Sequence, residues 1–313
     1  MRRGRVAAAL AGLLAGSLAA GCAGAPPPPA PGFYRWPGTA AEQAVRLAQE
    51  QGRTADLPAL RRLAAQPVAR WLTGDDAAGV AAQVVTGAAA AGQLPVLVAY
   101  DIPGRDCGAY SRGGAADPAA YRAWVDRLAA AIGDRAAWVV LEPDAVALTV
   151  TGCATAGADR YQLLAYAVGE LKAHPKVRVY LDAGNPGYAG QAAQIADGLR
   201  AAGLQRADGF AVNVSNFYTT PQSSAYGRQL SGLLGGKHFV IDTSRNGNGA
   251  LAPTAWCNPP GRALGAPPTT ATGDPSVDAF LWVKNPGESD GDCGRGEPPA
   301  GEFWLDYALG LAK

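Results

Sequence analysis

The sequence predicts an α/β fold, a distorted (β/α) TIM-like barrel of about seven parallel strands with its active site at the C-terminal rim. Three observations predict it. Short apolar runs rich in β-prone residues recur seven times along the chain. Amphipathic stretches of helical period stand between most of them, which gives a βαβα order and hence a parallel sheet. The glycine-rich phosphate loop that usually follows the first strand of a doubly wound sheet does not occur, and a closed or nearly closed barrel suits the pattern better.

In chain order, Arg2, Arg3 and Arg5 precede an apolar run from Val6 to Leu18, and small residues lead to Cys22. This reads as a bacterial export signal over residues 1–21, too short to remain as a membrane span. Ala19-Ala20-Gly21-Cys22 resembles the box cleaved in bacterial lipoproteins, where the cysteine carries lipid. Leucine usually stands where Ala19 does, so a plain secretory cleavage nearby is the competing reading. Residues 22–32 form a proline-rich spacer, Ala23 to Pro31 being unable to build helix or sheet. One folded domain is then expected over 33–313. Losing the leader removes three of 27 basic residues and no acid, leaving 24 against 26. Nothing in that balance suggests nucleic acid or an anionic surface as partner. The expected strands are Ala69–Leu72, Pro95–Tyr100, Ala137–Leu141, Val177–Asp182, Gly209–Val214, His238–Asp242 and Ala279–Lys284. Pro118–Ile132 and Arg160–Lys172 are expected helices between strands, and Phe303–Ala312 a closing one.

The chemistry gathers around Trp138-Val139-Val140-Leu141-Glu142-Pro143-Asp144. Four strand-forming residues end at a proline that cannot donate to the ladder, so Asp144 sits just past a strand end. One such aspartate is more often a loop cap than a catalyst. The pattern recurs, however, with Tyr100 and Asp106, Asp182, Asn213, Asp242 and Lys284 at the ends of other strands. Carboxylates from successive strands converging on one rim suit acid/base chemistry on a neutral polar substrate, and two carboxyls across a scissile bond is the arrangement of glycoside hydrolysis. Trp71, Tyr188 and Trp256, the last in the long Thr243–Pro275 loop, offer flat rings to sugar faces. Ser111-Arg112-Gly113-Gly114 is flexible by composition and suggests a small lid. Cys107, Cys153, Cys257 and Cys293 are an even set in an exported chain, which favours two disulfides over a metal site. His174 and His238 are too few for a zinc cluster; neither metal nor cofactor is expected.

Six ordered motifs resemble glycoside hydrolase family 6, the cellulases: Tyr100-Asp101-Ile102-Pro103-Gly104-Arg105-Asp106-Cys107, Glu142-Pro143-Asp144, Tyr180-Leu181-Asp182-Ala183-Gly184, Asn213-Val214-Ser215-Asn216, Ile241 to Gly247, and Trp282 to Gly291. The resemblance implies a distorted barrel with a tunnel or cleft that hydrolyses β-1,4-glucan with inversion. It implies Asp144 as general acid, Asp106 as the carboxylate that raises the acid's pKa and orders water, Tyr100 beneath the distorted sugar, and Asp182 as a supporting carboxylate. Asp290 matches the candidate base, with Lys284 and Arg245 as its expected partners. Trp71, Asn216, Trp256, Lys284 and Glu288 match sugar-contacting positions, to which Ser111, Asn185 and Tyr188 add local candidates. The family's disulfides correspond to Cys107 with Cys153 and Cys257 with Cys293. The chain departs from the family at Asp182-Ala183-Gly184-Asn185-Pro186-Gly187-Tyr188, where histidine and then tryptophan usually stand at the Asn185 and Tyr188 positions. An exported endo-β-1,4-glucanase, monomeric and secreted or lipid-anchored through Cys22, is therefore expected. A glucan-binding protein with little turnover, and a hydrolase of another β-glucan or cell-envelope polymer, are the alternatives.

Overall fold

The computed structural model describes Met1 and residues 32–153, 159–252 and 255–313. The leader and nearly all of the proline-rich spacer lie outside the described residues. Seven strands, β1 (Arg70–Leu72), β2 (Val96–Ala99), β3 (Ala137–Leu141), β4 (Val177–Asp182), β5 (Gly209–Val212), β6 (His238–Asp242) and β7 (Val277–Leu281), pair in sequence order. Every pairing is parallel. The sheet curls so that its two edge strands approach without forming a ladder. Ala69 N donates to Trp282 O at 2.9 Å and the Trp71 indole to Val283 O at 2.8 Å across this seam.

Side chains alternate across the pleat, and the two faces bury different partners. Val98, Val140, Tyr180, Ala211, Val240 and Ala279 fill the inside of the curl. Leu97, Val139, Val179, Phe210, Phe239 and their neighbours face a shell of helices. That shell comprises α3 (Ala77–Ala90), α4 (Pro118–Ile132), α5 (Ala145–Val150), α6 (Arg160–Lys172), α7 (Ala192–Ala201) and α8 (Thr220–Leu233), while α1 (Ala40–Glu50), α2 (Leu57–Ala64) and α9 (Leu305–Leu311) pack with Leu264 and Trp282 in a separate cluster. Local sequence sets the helix limits. In α4, Asp117 accepts from Ala120 N at 2.8 Å, Pro118 takes the first turn, and Gly133 ends the helix in a left-handed conformation at φ 56°. In α8, Thr219 and Gln222 form a reciprocal capping box.

Five elements differ in their bounds from the sequence expectation, the first being β1, which starts at Arg70 and not Ala69 because Ala69 N donates across the seam to Trp282 O. The last strand spans Val277–Leu281, not Ala279–Lys284, because the backbone N–H groups of Val283 and Lys284 leave the ladder for the Asp242 carboxylate. Strand β5 stops at Val212, since Asn213 turns left-handed at φ 66°. Strand β2 is trimmed by one residue at each end. The closing helix starts at Leu305, Phe303 being engaged in a bridge with Glu288.

Candidate active site

The C-terminal ends of the strands open into one cleft of about 880 Å³. Asp106, Asp144, Asp290, Tyr100, Trp71, Asn216, Trp256, Lys284, Glu288, Asn185, Tyr188 and Ser111 all line it. Asp182 does not; it lies beneath the floor with 1% of its surface exposed.

Asp144 follows β3 on a turn whose Glu142 and Asp144 both adopt left-handed backbone, at φ 47° and 69°. Its own N–H donates to Asp182 Oδ2 at 2.8 Å, which pins the turn to the end of β4. Burial, and then the negative charge of Asp106, push the Asp144 carboxyl up to about 7. Burial and the Asp144 charge likewise hold Asp182 well above the ordinary carboxylate range. Glu142 points the other way. Fully interior, it accepts from Asp101 N at 3.0 Å and Ile102 N at 3.1 Å, and so ties the Asp144 turn to the loop that carries Asp106.

Asp106 opens a short turn at φ 54° and accepts from Ser111 N at 2.7 Å and Ser111 Oγ at 2.9 Å. The Tyr100 hydroxyl meets the same Ser111 Oγ at 3.0 Å, which makes a Tyr100–Ser111–Asp106 chain along one wall. Arg105 stacks over the Tyr100 ring at 4.7 Å and donates to Tyr100 O at 2.7 Å and Ser111 O at 2.8 Å. The Ser111–Gly114 segment is thus tied down on several sides. A Cβ on Gly114 would stand 2.0 Å from Ile102 O, so this glycine answers a close backbone approach as well as its φ of 95°.

On the opposite wall Asp290 accepts from Arg245 Nη1 at 2.9 Å and Asn258 N at 3.0 Å, with Lys284 Nζ at 3.5 Å. Burial pushes this carboxyl up, but Arg245 and Lys284 outweigh it and hold Asp290 below the ordinary range. Arg245 is wholly buried, its guanidinium over the Phe217 ring at 4.3 Å. The two further strand-end groups are clamps beneath the cleft. Asp242 accepts from Ser215 N, Ser244 N and Lys284 N at 2.9, 2.9 and 3.0 Å; Asn213 donates to Asp242 O at 2.9 Å and Tyr218 O at 3.2 Å.

The two disulfides bracket these walls. Cys107–Cys153 and Cys257–Cys293 have Cα separations of 5.7 and 6.2 Å, within the usual range. Among the described residues one group, Cys257, Cys293 and Glu297, has the proximity of metal ligands, and its two sulfurs are spent in the disulfide. Asn185 accepts from Gly187 N at 2.9 Å and caps the short turn that carries Tyr188. Trp256 and Tyr110, 43% and 46% exposed, stand with ring centroids 5.8 Å apart at the mouth. Sequence reasoning passed over Tyr110, Arg70, Asn285 and the Asn258 clamp. Tyr110 immediately precedes the Ser111–Gly114 loop, Asn258 adjoins Cys257, and Asn285 lies within the Trp282–Gly291 motif; Arg70 carries no comparable signal.

A curled parallel barrel holds at its rim one buried carboxyl raised toward neutrality and another pinned ionised, flanked by aromatic rings, and paired carboxyls of this kind are the arrangement used in glycoside hydrolysis. The sequence profile of the family described as Glycosyl hydrolases family 6 matches residues 32–313, and the chain belongs to that family. It is 45% identical to endoglucanase A of Cellulomonas fimi over 92% of this chain and 62% of the relative, and 42% identical to endoglucanase 1 of Streptomyces halstedii over 88% and 87%. It spans about three-fifths of the length of the Cellulomonas fimi relative and of a Thermobispora bispora endoglucanase A. Among solved structures it resembles the endoglucanase Cel6 of Mycobacterium tuberculosis in complex with methyl-cellobiosyl-4-deoxy-4-thio-β-D-cellobioside, with TM-score 0.83, 45% identity, and coverage of 90% of this chain and 97% of that one. It also resembles endoglucanase Cel6B of Humicola insolens, with TM-score 0.74, 27% identity and coverage of 87% and 92%.

Proposed function

We propose that the chain is an exported endo-β-1,4-glucanase that cuts internal glucosidic bonds of cellulose or a related β-glucan with inversion. The observation that carries this reading is the opposite tuning of two carboxyls in one cleft. Asp144, raised to about 7, holds a proton near neutral pH, whereas Asp290 is kept ionised by Arg245 and Lys284. In this reading Asp144 gives its proton to the departing glycosidic oxygen while water attacks the anomeric carbon from the other face. The water's proton passes to Asp290, directly or through a second water, and the C–O bond to the leaving sugar breaks with inversion. Asp290, held by two cations, is a weak base, which favours the relayed path. Asp106 keeps Asp144 protonated and with Ser111 orders the water; Tyr100 supports the distorted ring, and Asp182 positions Asp144 through its backbone N–H. Trp71, Trp256, Asn216, Lys284, Glu288, Asn185 and Tyr188 hold the flanking sugars. The names of the Cellulomonas, Streptomyces and Mycobacterium relatives support the same activity.

Export through residues 1–21, attachment through lipid on Cys22, and action as a monomer belong to this proposal, supported by the arginine-led apolar run and the Cys22 box. The Asn185 and Tyr188 departures favour a second reading on substrate alone, in which another β-glucan or a cell-envelope glycan is the natural polymer. The test is hydrolysis of soluble carboxymethyl-cellulose alongside a panel of β-glucans, with viscosity and reducing ends followed together. Viscosity is expected to collapse while few ends have formed, with the α-anomer as first product. Cellobiose release with viscosity unchanged overturns the endo assignment, and binding without turnover makes the chain a glucan-binding protein.

A further inference from the structure

At the seam between β1 and β7 the cleft ends in polar groups to which the mechanism gives no role. Arg70 opens β1, lines the cleft, and stacks its guanidinium on the Trp36 ring, 4.6 Å from the centroid. The indole is itself fixed, donating from Nε1 to Val68 O at 3.1 Å. The Arg70 side chain makes no hydrogen bond and no ion pair among the described residues, and its Nε is buried without an acceptor. Asn285 lines the same end of the cleft. Its Nδ2 donates to Glu288 Oε1 at 2.9 Å, while its buried Oδ1 accepts from nothing. Burial pushes the Glu288 carboxyl up, and Lys284, Asn285 and Arg70 draw it back, so the Arg70 charge acts directly on this wall.

Desolvated donors and acceptors are costly to leave unmade, and a wall that presents both kinds selects what can meet both. A phosphate, sulfate or carboxylate group would satisfy Arg70 but would set acceptor against acceptor at Asn285 Oδ1 and Glu288. An ammonium group would satisfy those two and meet the guanidinium head-on. A hydroxyl donates and accepts at once, and neighbouring hydroxyls on a pyranose serve Arg70 and Asn285 together. Behind the wall, a recess of about 30 Å³ shared by Trp36, Asn285 and Glu288 is roomy enough for a water or a hydroxymethyl group but not for a sugar ring. The stack on Trp36 fixes the guanidinium plane in advance, so little rotamer freedom is lost on binding.

We propose that Arg70 and Asn285 form an additional pyranose-binding position at the β1 end of the cleft, reading two neighbouring sugar hydroxyls and so setting how long a glucan must be to be held well. The position rests on the glucanase reading above, and the test separates the two. In an Asp144→Asn background, which removes turnover, titration calorimetry with cellotriose through cellohexaose gives affinity against chain length. Affinity is expected to step upward at the oligomer that first reaches the seam. Arg70→Met, which keeps the stem on Trp36 but deletes every donor, is expected to erase that step with a loss of about tenfold for the longer oligomers, while cellotriose binding stays the same. Should Arg70→Met fail to fold, Arg70→Lys keeps stem and charge without the planar fork and is expected to weaken the same long oligomers. An equal loss at every length makes Arg70 a structural residue and overturns the inference, as does an unchanged step. If no oligomer of any length binds the Asp144→Asn protein, it is the glucanase reading that fails.

Discussion

Asp144 and Asp290 differ less in burial than in company. Asp144 has a like charge beside it and its own backbone N–H turned away to Asp182; Asp290 has two cations and an amide N–H on its oxygens. On the proposed mechanism Asp144 is the general acid and works only while protonated, so activity should fall as pH rises through its value of about 7. Asp106→Asn removes a raising charge and is expected to move that basic limb downward in a pH–rate profile. Asp144→Asn is expected to lower hydrolysis of the polysaccharide by about 100-fold to 10,000-fold and to spare an aryl glycoside whose leaving group needs little protonation. Equal losses on both substrates would remove Asp144 from the acid role. At this scale the sequence was informative where a strand-forming run ended in an acid beside a proline, as at Leu141-Glu142-Pro143-Asp144. It was silent on direction. Asp242 and Asp144 both follow apolar runs, yet one clamps four backbone N–H groups beneath the floor and the other faces the cleft, a difference that loop geometry settles.

The loops after β2 and β7 are the elements on which the walls depend. Each is stapled next to an aspartate that lines the cleft: Cys107 adjoins Asp106, and Cys293 follows Asp290 by three residues. Replacing either pair with serines is expected to cost about 2–5 kcal/mol, read as a lowered midpoint in urea, and titration of the native protein should find Cys107, Cys153, Cys257 and Cys293 unreactive to thiol reagents. Helices α4 and α6 were legible to the residue, because Asp117-Pro118 caps one and helical periodicity spans both. The end of β7 was not. Trp282-Val283 continues the apolar run of β7, and only the capture of the Val283 and Lys284 N–H groups by Asp242 ends the strand. A long-range side-chain acceptor of that kind leaves no local trace. Nor did the Ser111–Gly114 composition reveal that its glycines serve close packing.

For the molecule as a whole, seven parallel strands leave an interior lined by aliphatic and aromatic residues and a rim crowded with buried charge. Glu142 joins the two, since it is interior yet titratable. Burial lifts its folded pKa from 4.5 to about 7, so the fold favours its protonated form. The stability this contributes is present in full below the unfolded value and is lost as pH rises through about 7. Glu142→Gln is therefore expected to flatten the decline in chemical-denaturation stability between about pH 4.5 and 7, and an unaltered slope would show that the carboxyl stays ionised throughout.

The left-handed residues have a consequence for behaviour on heating. Asp106, Cys107, Glu142, Asp144, Asn213, Ser215, Asn258 and Cys293 are the non-glycine residues with positive φ among the described residues, and all of them follow the C-terminal ends of strands. Each such backbone costs about 1–2 kcal/mol, and the cost falls on one side of the molecule. Opposite them the layers of Val140, Val240 and Ala279 carry no such burden. The rim should therefore open at a lower temperature than the barrel that supports it. Residual activity after brief heating is expected to vanish several degrees below the loss of far-ultraviolet circular dichroism, and coincident transitions would mean that rim and barrel unfold as one cooperative unit.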